Sequence, residues 1–175
     1  MRPTHVGTAP ARVESRGARL RLACWFALAS AAGCFTEVQP AKPEFSKVRI
    51  FVSPDVEVMG NDVAAAVRDG LDRDLRSHLE GALDRAGFQV ASGRGAPRDF
   101  TARLSVQLAS HHLGAGTVGT VRLLLRDEQG RGVDGATASA GDAYTYSTTA
   151  FADRTTAALA TQLGQSRRLS EVLRH

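Results

Sequence analysis

Cys34 is the residue whose surroundings most clearly indicate chemistry, because its thiol stands at the end of an export signal. Four arginines between positions 12 and 21 precede an apolar run, Leu22–Ala32, which leads into Gly33 and Cys34. A helix that spans a bilayer needs roughly 20 apolar residues, and this run has 11. The order of basic, apolar and small residues predicts a secretory signal that is removed from the mature protein.

The residues Ala31-Ala32-Gly33-Cys34 resemble the lipobox of bacterial lipoproteins. In that family the cysteine is diacylated, becomes the new N-terminus after cleavage, and is usually acylated on its amine. The resemblance implies that residues 1–33 are a lipoprotein signal peptide and that Cys34 is the lipidation site. Two other interpretations stay open: a secretory signal cut after Ala31, and a short anchor that is not cleaved. Only lipidation gives Cys34 a role.

The net charge of +4 belongs to the leader rather than to the mature chain. Five of the 22 Lys and Arg residues and one of the 18 acidic residues precede Cys34, so the mature part has 17 of each sign. A nucleic-acid-binding protein needs clustered cations that displace counterions from phosphates. We therefore expect no nucleic-acid partner.

Cysteine usage and length predict a single domain without disulfides. Cys24 leaves with the leader and Cys34 would carry the lipid, so no cysteine pair remains. Residues 35–46 contain Pro40 and Pro43 and are typical of a tether that reaches at most about 40 Å. Residues 47–175 then form one periplasmic domain of ordinary size.

The segment Gly114–Gly119 matches the pattern G-x-G-x-x-G of dinucleotide-binding sites. In those sites the last glycine opens a helix that faces the pyrophosphate. Here residues 120–125 have the pattern of a strand, so the segment is better interpreted as a flexible hairpin connection. We expect no cofactor.

Other reactive side chains do not form a recognisable catalytic or metal-binding set. His111 and His112 are adjacent, and neighbouring side chains on a strand point to opposite faces, so a shared metal site is not expected. Ser105, His111 and Asp99 could be nominated for hydrolysis, but no nucleophile motif surrounds the serine. The hydroxyl-rich residues 144–149 are interpreted as a strand end or helix cap rather than a glycan-binding stretch. We expect a protein that is not an enzyme.

Hydrophobic periodicity predicts the order strand, helix, three strands, helix. We expect a first strand at 47–53 that ends at Pro54, a helix from Asn61 or Asp62 to Gly87, and a brief second strand at 88–91. Three further strands are predicted at 100–108, 120–126 and 133–140, with a turn at 127–130. A final helix is expected after position 147, with Gly164 as a stop or kink.

This order predicts an α/β (α+β) fold, a two-layer sandwich in which two helices cover one face of a mixed sheet of about five strands. The export signal, the tether and this βαβββα order together resemble a group of small outer-membrane lipoproteins. The group includes the lipopolysaccharide-assembly lipoprotein, activators of penicillin-binding proteins, the N-terminal domain of the periplasmic Tol protein and the curli-secretion lipoprotein. The resemblance implies a non-enzymatic part on the periplasmic side of the outer membrane, held by acyl chains on Cys34.

The same resemblance implies an envelope protein or an envelope polymer as the partner. An adaptor or assembly factor predicts an exposed strand edge or apolar patch. A ligand-binding lipoprotein would have a lined apolar pocket instead, and an enzyme would have titratable groups in a cleft. We nominate as binding surface the third strand's outer face, Arg103, Ser105 and Gln107, and the histidines His111 and His112 beside the glycine-rich loop.

Overall fold

The structure, a computed structural model, describes residues 36–60, 70–93, 95–110, 117–141 and 148–174, with the backbone alone for residues 110 and 117. Residues 35–175 belong to one compact unit. The strands are β1 (Arg49–Gly60), β2 (Gln89–Val90), β3 (Phe100–Ser110), β4 (Thr117–Arg126) and β5 (Gly132–Ala140). The helices are α1 (Leu71–Ala86), α2 (Thr148–Gly164) and the short α3 (Arg167–Val172), and a 3-10 turn lies at Pro43–Phe45.

The five strands form one mixed sheet in the order β2-β1-β3-β4-β5. Strand β1 is parallel to β2 and to β3, whereas β3, β4 and β5 are successively antiparallel. The parallel crossover from β1 to β2 contains α1, as such connections require. The predicted α/β sandwich is confirmed.

The core lies between one face of the sheet and the two long helices. Alternate residues of β3 are buried, at Ala102, Leu104, Val106 and Leu108, since successive side chains of a strand point to opposite faces. Helix α1 buries one stripe at helical spacing: Leu71, Leu75, Leu79, Ala82, Leu83 and Ala86. None of the helices that the structure describes is long and apolar enough to cross a membrane.

Strand β1 continues through Pro54, where the sequence pattern predicts that it ends. Val52 pairs with Ala102 and Val56 pairs with Leu104, so β1 holds two extra residues in a bulge at this point. Proline has no N–H to donate and is tolerated at bulges and on edge strands. Past Ile50, β1 has no strand partner except β3 among the described residues. Pro54 therefore lies both at a bulge and on an edge of the sheet.

Two glycines change the other predicted boundaries. Gly70 has a φ of +82°, in the left-handed region, and α1 begins at the next residue, so the predicted single helix over 61–87 does not form. The proposed caps Asn61 and Asp62 lie outside the described residues. Gly119 is part of β4 rather than of a loop, because it pairs with Leu108 on one side and Ala140 on the other.

Residues 36–46, expected to form a tether, are packed against the helices, and we call them the docked segment. The Ala41 N–H donates to the Ala86 carbonyl of α1 (2.8 Å) and the Lys42 N–H donates to the Gly164 carbonyl of α2 (3.0 Å). The Lys42 Nζ donates to the Ser166 carbonyl and to the Ser170 hydroxyl, both at 3.0 Å.

Beyond these bonds, Phe45 is fully buried and stacks on Phe88, with ring centroids 5.8 Å apart. The docked segment therefore belongs to the fold.

Gly164 makes this docking possible, because a Cβ there would lie 2.9 Å from the Ala41 Cα. We expect Gly164→Ala to loosen the docked segment and to destabilise the protein by about 1 kcal/mol or more, although alanine favours a helix over glycine. The matched control is Gly81→Ala in α1, where the added Cβ meets only the flexible Arg85 side chain at 3.4 Å. That variant should gain up to about 1 kcal/mol. Urea unfolding measures the stability of each variant, and limited proteolysis measures how firmly residues 36–46 are held. Equal stabilisation by the two variants would contradict the close contact between Gly164 and Ala41.

Candidate functional site

The face of the sheet that the helices do not cover is the candidate site, and we call it the open face. It is formed by residues of β1, β3 and β4 that alternate with the core residues. Their side chains are those of Phe51, Asp55, Glu57, Met59, Thr101, Arg103, Ser105, Gln107, Thr120, Arg122, Leu124 and Arg126. Apart from Phe51, they are exposed or half-buried.

The nominated residues of the third strand lie on this face. Arg103 and Gln107 are exposed and Ser105 is half-buried, as the alternation of β3 predicts. His111 and His112, the other nominated residues, lie outside the described residues, as does the lipidation candidate Cys34. Nothing in the structure tests a role for the five nominated binding residues or for Cys34.

Three arginines surround Leu124 on the open face. Arg103 is opposite Leu124 in the register of β3 and β4, and Arg122 and Arg126 stand two residues before and after Leu124 on β4. Diagonal neighbours in antiparallel strands lie about 7–8 Å apart. We call Arg103, Arg122 and Arg126 the arginine cluster.

No carboxylate within the described residues forms an ion pair with the arginine cluster. Arg126 donates through Nη1 to the Gly130 carbonyl at 3.3 Å, and its buried Nε has no hydrogen-bond partner among the described residues. Asp55 and Glu57 lie next to the cluster on β1 but make no ion pair with it. Within the described residues the cluster is therefore a concentration of positive charge that has Asp55 and Glu57 nearby but makes no ion pair with them.

Two acids at the same end of the sheet are already engaged by other arginines. Asp127 accepts from the Arg131 N–H at 2.8 Å and from Arg131 Nε at 2.7 Å. Desolvation would raise the pKa of Asp127, but the hydrogen bonds from Arg131 outweigh it and hold the pKa below its ordinary value. Asp127 pairs with Arg131 and makes no ion pair with Arg126.

Asp99 is likewise paired, in this case with Arg49 of β1. Its Oδ1 accepts from Arg49 Nη2 at 2.7 Å and its Oδ2 accepts from the Arg49 N–H at 2.8 Å. The side-chain hydrogen bond from Arg49 is the main reason that the pKa of Asp99 lies below its ordinary value. Ser105 lies on β3, well along the strand from Asp99, and His111 is not described, so the structure does not assemble the nominated hydrolytic set.

The open face is shallow rather than deeply cleft. A depression of about 380 Å³ lies over Phe51, and Arg98 stacks on that ring with Cζ 4.9 Å from the centroid. A second depression of about 290 Å³ is lined by Asp55, Glu57, Arg103 and Leu124 among others. No group of three or more His, Cys, Asp or Glu side chains that could hold a metal ion occurs in the described ranges.

Both edges of the sheet carry features that oppose the addition of another strand. On β5, Gln162 of α2 donates to the Thr137 carbonyl (3.0 Å) and accepts from the Thr137 N–H (3.3 Å), so its amide occupies the backbone groups of Thr137 in the middle of that edge. On β1, the free stretch carries Pro54, Asp55 and Glu57, and prolines and charges are typical protections of an edge strand. The open face is therefore a better candidate for a binding surface than either edge.

Sequence reasoning missed Arg122 and Arg126, although the signal was present. Val121, Leu123 and Leu125 alternate along the strand predicted at 120–126 and are buried, and the same alternation places the intervening side chains on the opposite face. The register of β4 against β3, which puts these arginines around Arg103, could not be read from the sequence.

No family model and no curated protein matches the chain. Among solved structures, it is similar to a neuraminyllactose-binding hemagglutinin homolog from Helicobacter pylori, with 10% identity, a TM-score of 0.45, and coverage of 79% of this chain and 94% of that chain. It is also similar to PelC from Paraburkholderia phytofirmans, a dodecamer, with 17% identity, a TM-score of 0.47, and coverage of 71% and 93%. A third is lipoprotein GNA1162 from Neisseria meningitidis, with 16% identity, a TM-score of 0.37, and coverage of 54% and 80%. Similarities this low transfer no role to the present chain.

The pair between Arg49 and Asp99 generates a pH prediction. A carboxyl whose pKa is lowered in the folded protein adds stability above its unfolded pKa, about 3.9, and this contribution is lost as the pH falls through the folded pKa. We expect Asp99→Asn to lower the free energy of unfolding at pH 7 by roughly 0.5–1 kcal/mol, since water screens the half-exposed pair. The difference from wild type should shrink below about pH 4.

Chemical denaturation at several pH values measures this difference. Asp84→Asn, at an exposed position of α1, is the matched control and should change little at any pH. A difference between Asp99→Asn and wild type that is constant from pH 7 to pH 3 would contradict the assignment.

Proposed function

We propose that this protein is a lipid-anchored, non-enzymatic envelope lipoprotein of the periplasmic side of the outer membrane, which acts as an adaptor or assembly factor. In this proposal acyl chains on Cys34 hold the protein in the membrane, and the open face binds another envelope component. The observation that carries the proposal is the docked segment, which brings the chain next to Cys34 onto the helical side and leaves the opposite face of the sheet uncovered.

Chain geometry supports this arrangement. The Thr36 N–H donates to the Asp153 carboxylate of α2 (3.4 Å), and the Gln39 N–H donates to the Thr161 hydroxyl (3.1 Å). Only two residue steps separate Cys34 from Thr36, which is about 7 Å of extended chain. An anchor at Cys34 would therefore hold the helical side near the bilayer, and the open face would lie on the opposite side of the domain.

The character of the open face supports binding rather than catalysis. It is broad and shallow, and it presents arginines, hydroxyls and two exposed apolar side chains, Leu124 (38% exposed) and Met59 (42%). Arginine and large apolar side chains are enriched at the centres of protein interfaces. A ligand-binding lipoprotein is the second candidate, but that class uses an enclosed apolar pocket, and the depressions on this face are open and lined by both polar and apolar atoms.

The anchor is tested by Cys34→Ala. Wild-type protein expressed in a Gram-negative host should begin at Cys34, carry the mass of two or three acyl chains and sediment with outer membranes, because one chain alone gives only marginal attachment. The variant should lack the added mass and leave the membrane fraction. Intact mass spectrometry and membrane fractionation measure both properties.

Cys24→Ala is the matched control, since Cys24 would be removed with the signal peptide. It should behave as wild type. A wild-type protein that begins near Ala32, carries no acyl mass and is recovered in the soluble periplasmic fraction would contradict the proposed anchor.

A further inference from the structure

We propose that the arginine cluster binds an acidic segment of a partner protein, with an apolar side chain of that segment placed over Leu124. The inference rests on the proposed function, in that it names the chemistry of the partner that the open face binds. It is carried by the arrangement of Arg103, Arg122 and Arg126 and by the lack of ion pairs to them among the described residues.

Clustered like charges are unfavourable without a counterion. Arg103 and Arg122, and Arg103 and Arg126, are diagonal neighbours on adjacent strands, where like charges repel. Elsewhere in the described chain this protein pairs its strand and turn arginines, as Arg49 with Asp99 and Arg131 with Asp127. Asp55 and Glu57 compensate this repulsion only in part, since they make no ion pair with the cluster, and an anionic partner would reduce it further.

The spacing of Arg122, Leu124 and Arg126 along β4 favours an extended partner segment with a matching pattern of side chains. Arg122, Leu124 and Arg126 occupy alternate positions, so the two guanidinium-bearing residues lie about 14 Å apart at about 3.4 Å per residue. An extended peptide has the same rise and presents residues i, i+2 and i+4 on one side. Acidic side chains at i and i+4 would contact Arg122 and Arg126, in either order. An apolar side chain at i+2 would contact Leu124.

The surroundings favour such a segment over a uniform polyanion. Asp55 and Glu57 lie on the same face along β1, one strand away from Arg103. A polymer carrying negative charge along its whole length would meet these carboxylates wherever it crossed from β3 to β1. On the other side, Gly135, Thr137 and Ser139 of β5 are small and neutral. The arginine cluster therefore occupies a narrow part of the open face, about as wide as one extended chain.

The test uses the full-length lipidated protein, purified in detergent, and a fluorescein-labelled peptide Gly-Glu-Thr-Leu-Thr-Glu-Gly as the probe. Fluorescence anisotropy should show binding that weakens as salt is raised toward 0.5 M. The same peptide with lysine in place of both glutamates should not bind. The double variant Arg103→Glu/Arg122→Glu should bind the acidic peptide at least about tenfold more weakly and should gain binding of the lysine peptide.

Arg167→Glu/Arg168→Glu is the matched control, because it also replaces two arginines by glutamate, at exposed positions of α3. It should bind the acidic peptide as wild type does. Equal losses of acidic-peptide binding in Arg167→Glu/Arg168→Glu and in Arg103→Glu/Arg122→Glu would overturn the proposal, as would equal binding of the acidic and lysine peptides to wild type. Tighter binding of a sulfated polysaccharide that displaces the acidic peptide would also overturn it, in favour of a polyanionic glycan.

If Arg103→Glu/Arg122→Glu does not fold, as judged by circular dichroism, Arg122→Gln takes its place and should weaken peptide binding about threefold. Unchanged affinity in that variant would overturn the proposal. Binding is measured in detergent and does not depend on membrane attachment. A peptide that fails to bind while Cys34 proves to be acylated would therefore refute the acidic partner alone, whereas an unacylated Cys34 would refute the anchor alone.

Discussion

The close contact between Ala41 and Gly164 is the constraint on which the functional account depends. It lets the docked segment lie against α1 and α2 with two backbone hydrogen bonds, and a side chain at position 164 would press on the Ala41 backbone. Because of this contact, the chain that follows Cys34 is part of the domain rather than a loose connection. In the proposed function, this contact is what would hold the helical side of the domain near a lipid anchor.

The covering of the other surfaces leaves one side of the sheet available for binding. Helices and the docked segment cover one face, Gln162 occupies backbone groups on the β5 edge, and Pro54 with its acidic neighbours protects the β1 edge. The open face is the broad surface that remains among the described residues, and it holds three arginines that form no ion pair there, around an exposed leucine. An accessible face with incompletely compensated charge is a reasonable place for a partner to bind.

The sequence predicted those parts of the fold that depend on local periodicity. The alternation of β3 placed Ser105 on the outer face correctly, and the element order predicted the two-layer α/β sandwich. The continuation of β1 through Pro54 was missed because it depends on a bulge and on a free edge, which are properties of the sheet. The docked segment was missed because its bonds join residues far apart in the chain, such as Ala41 with Ala86 and Thr36 with Asp153. The arginine cluster needed the register of β3 and β4 as well as the alternation.

The most direct test of the account is photo-crosslinking in intact cells. A photoreactive amino acid replaces either Gln107 on the open face or Arg154 on the exposed side of α2. Position 154 follows Asp153, the residue that binds Thr36. The account predicts a discrete protein adduct from position 107 and phospholipid adducts, without a discrete protein adduct, from position 154. Phospholipid adducts from position 107, or the same protein adduct from both positions, would contradict the claim that the open face is turned from the membrane toward a partner.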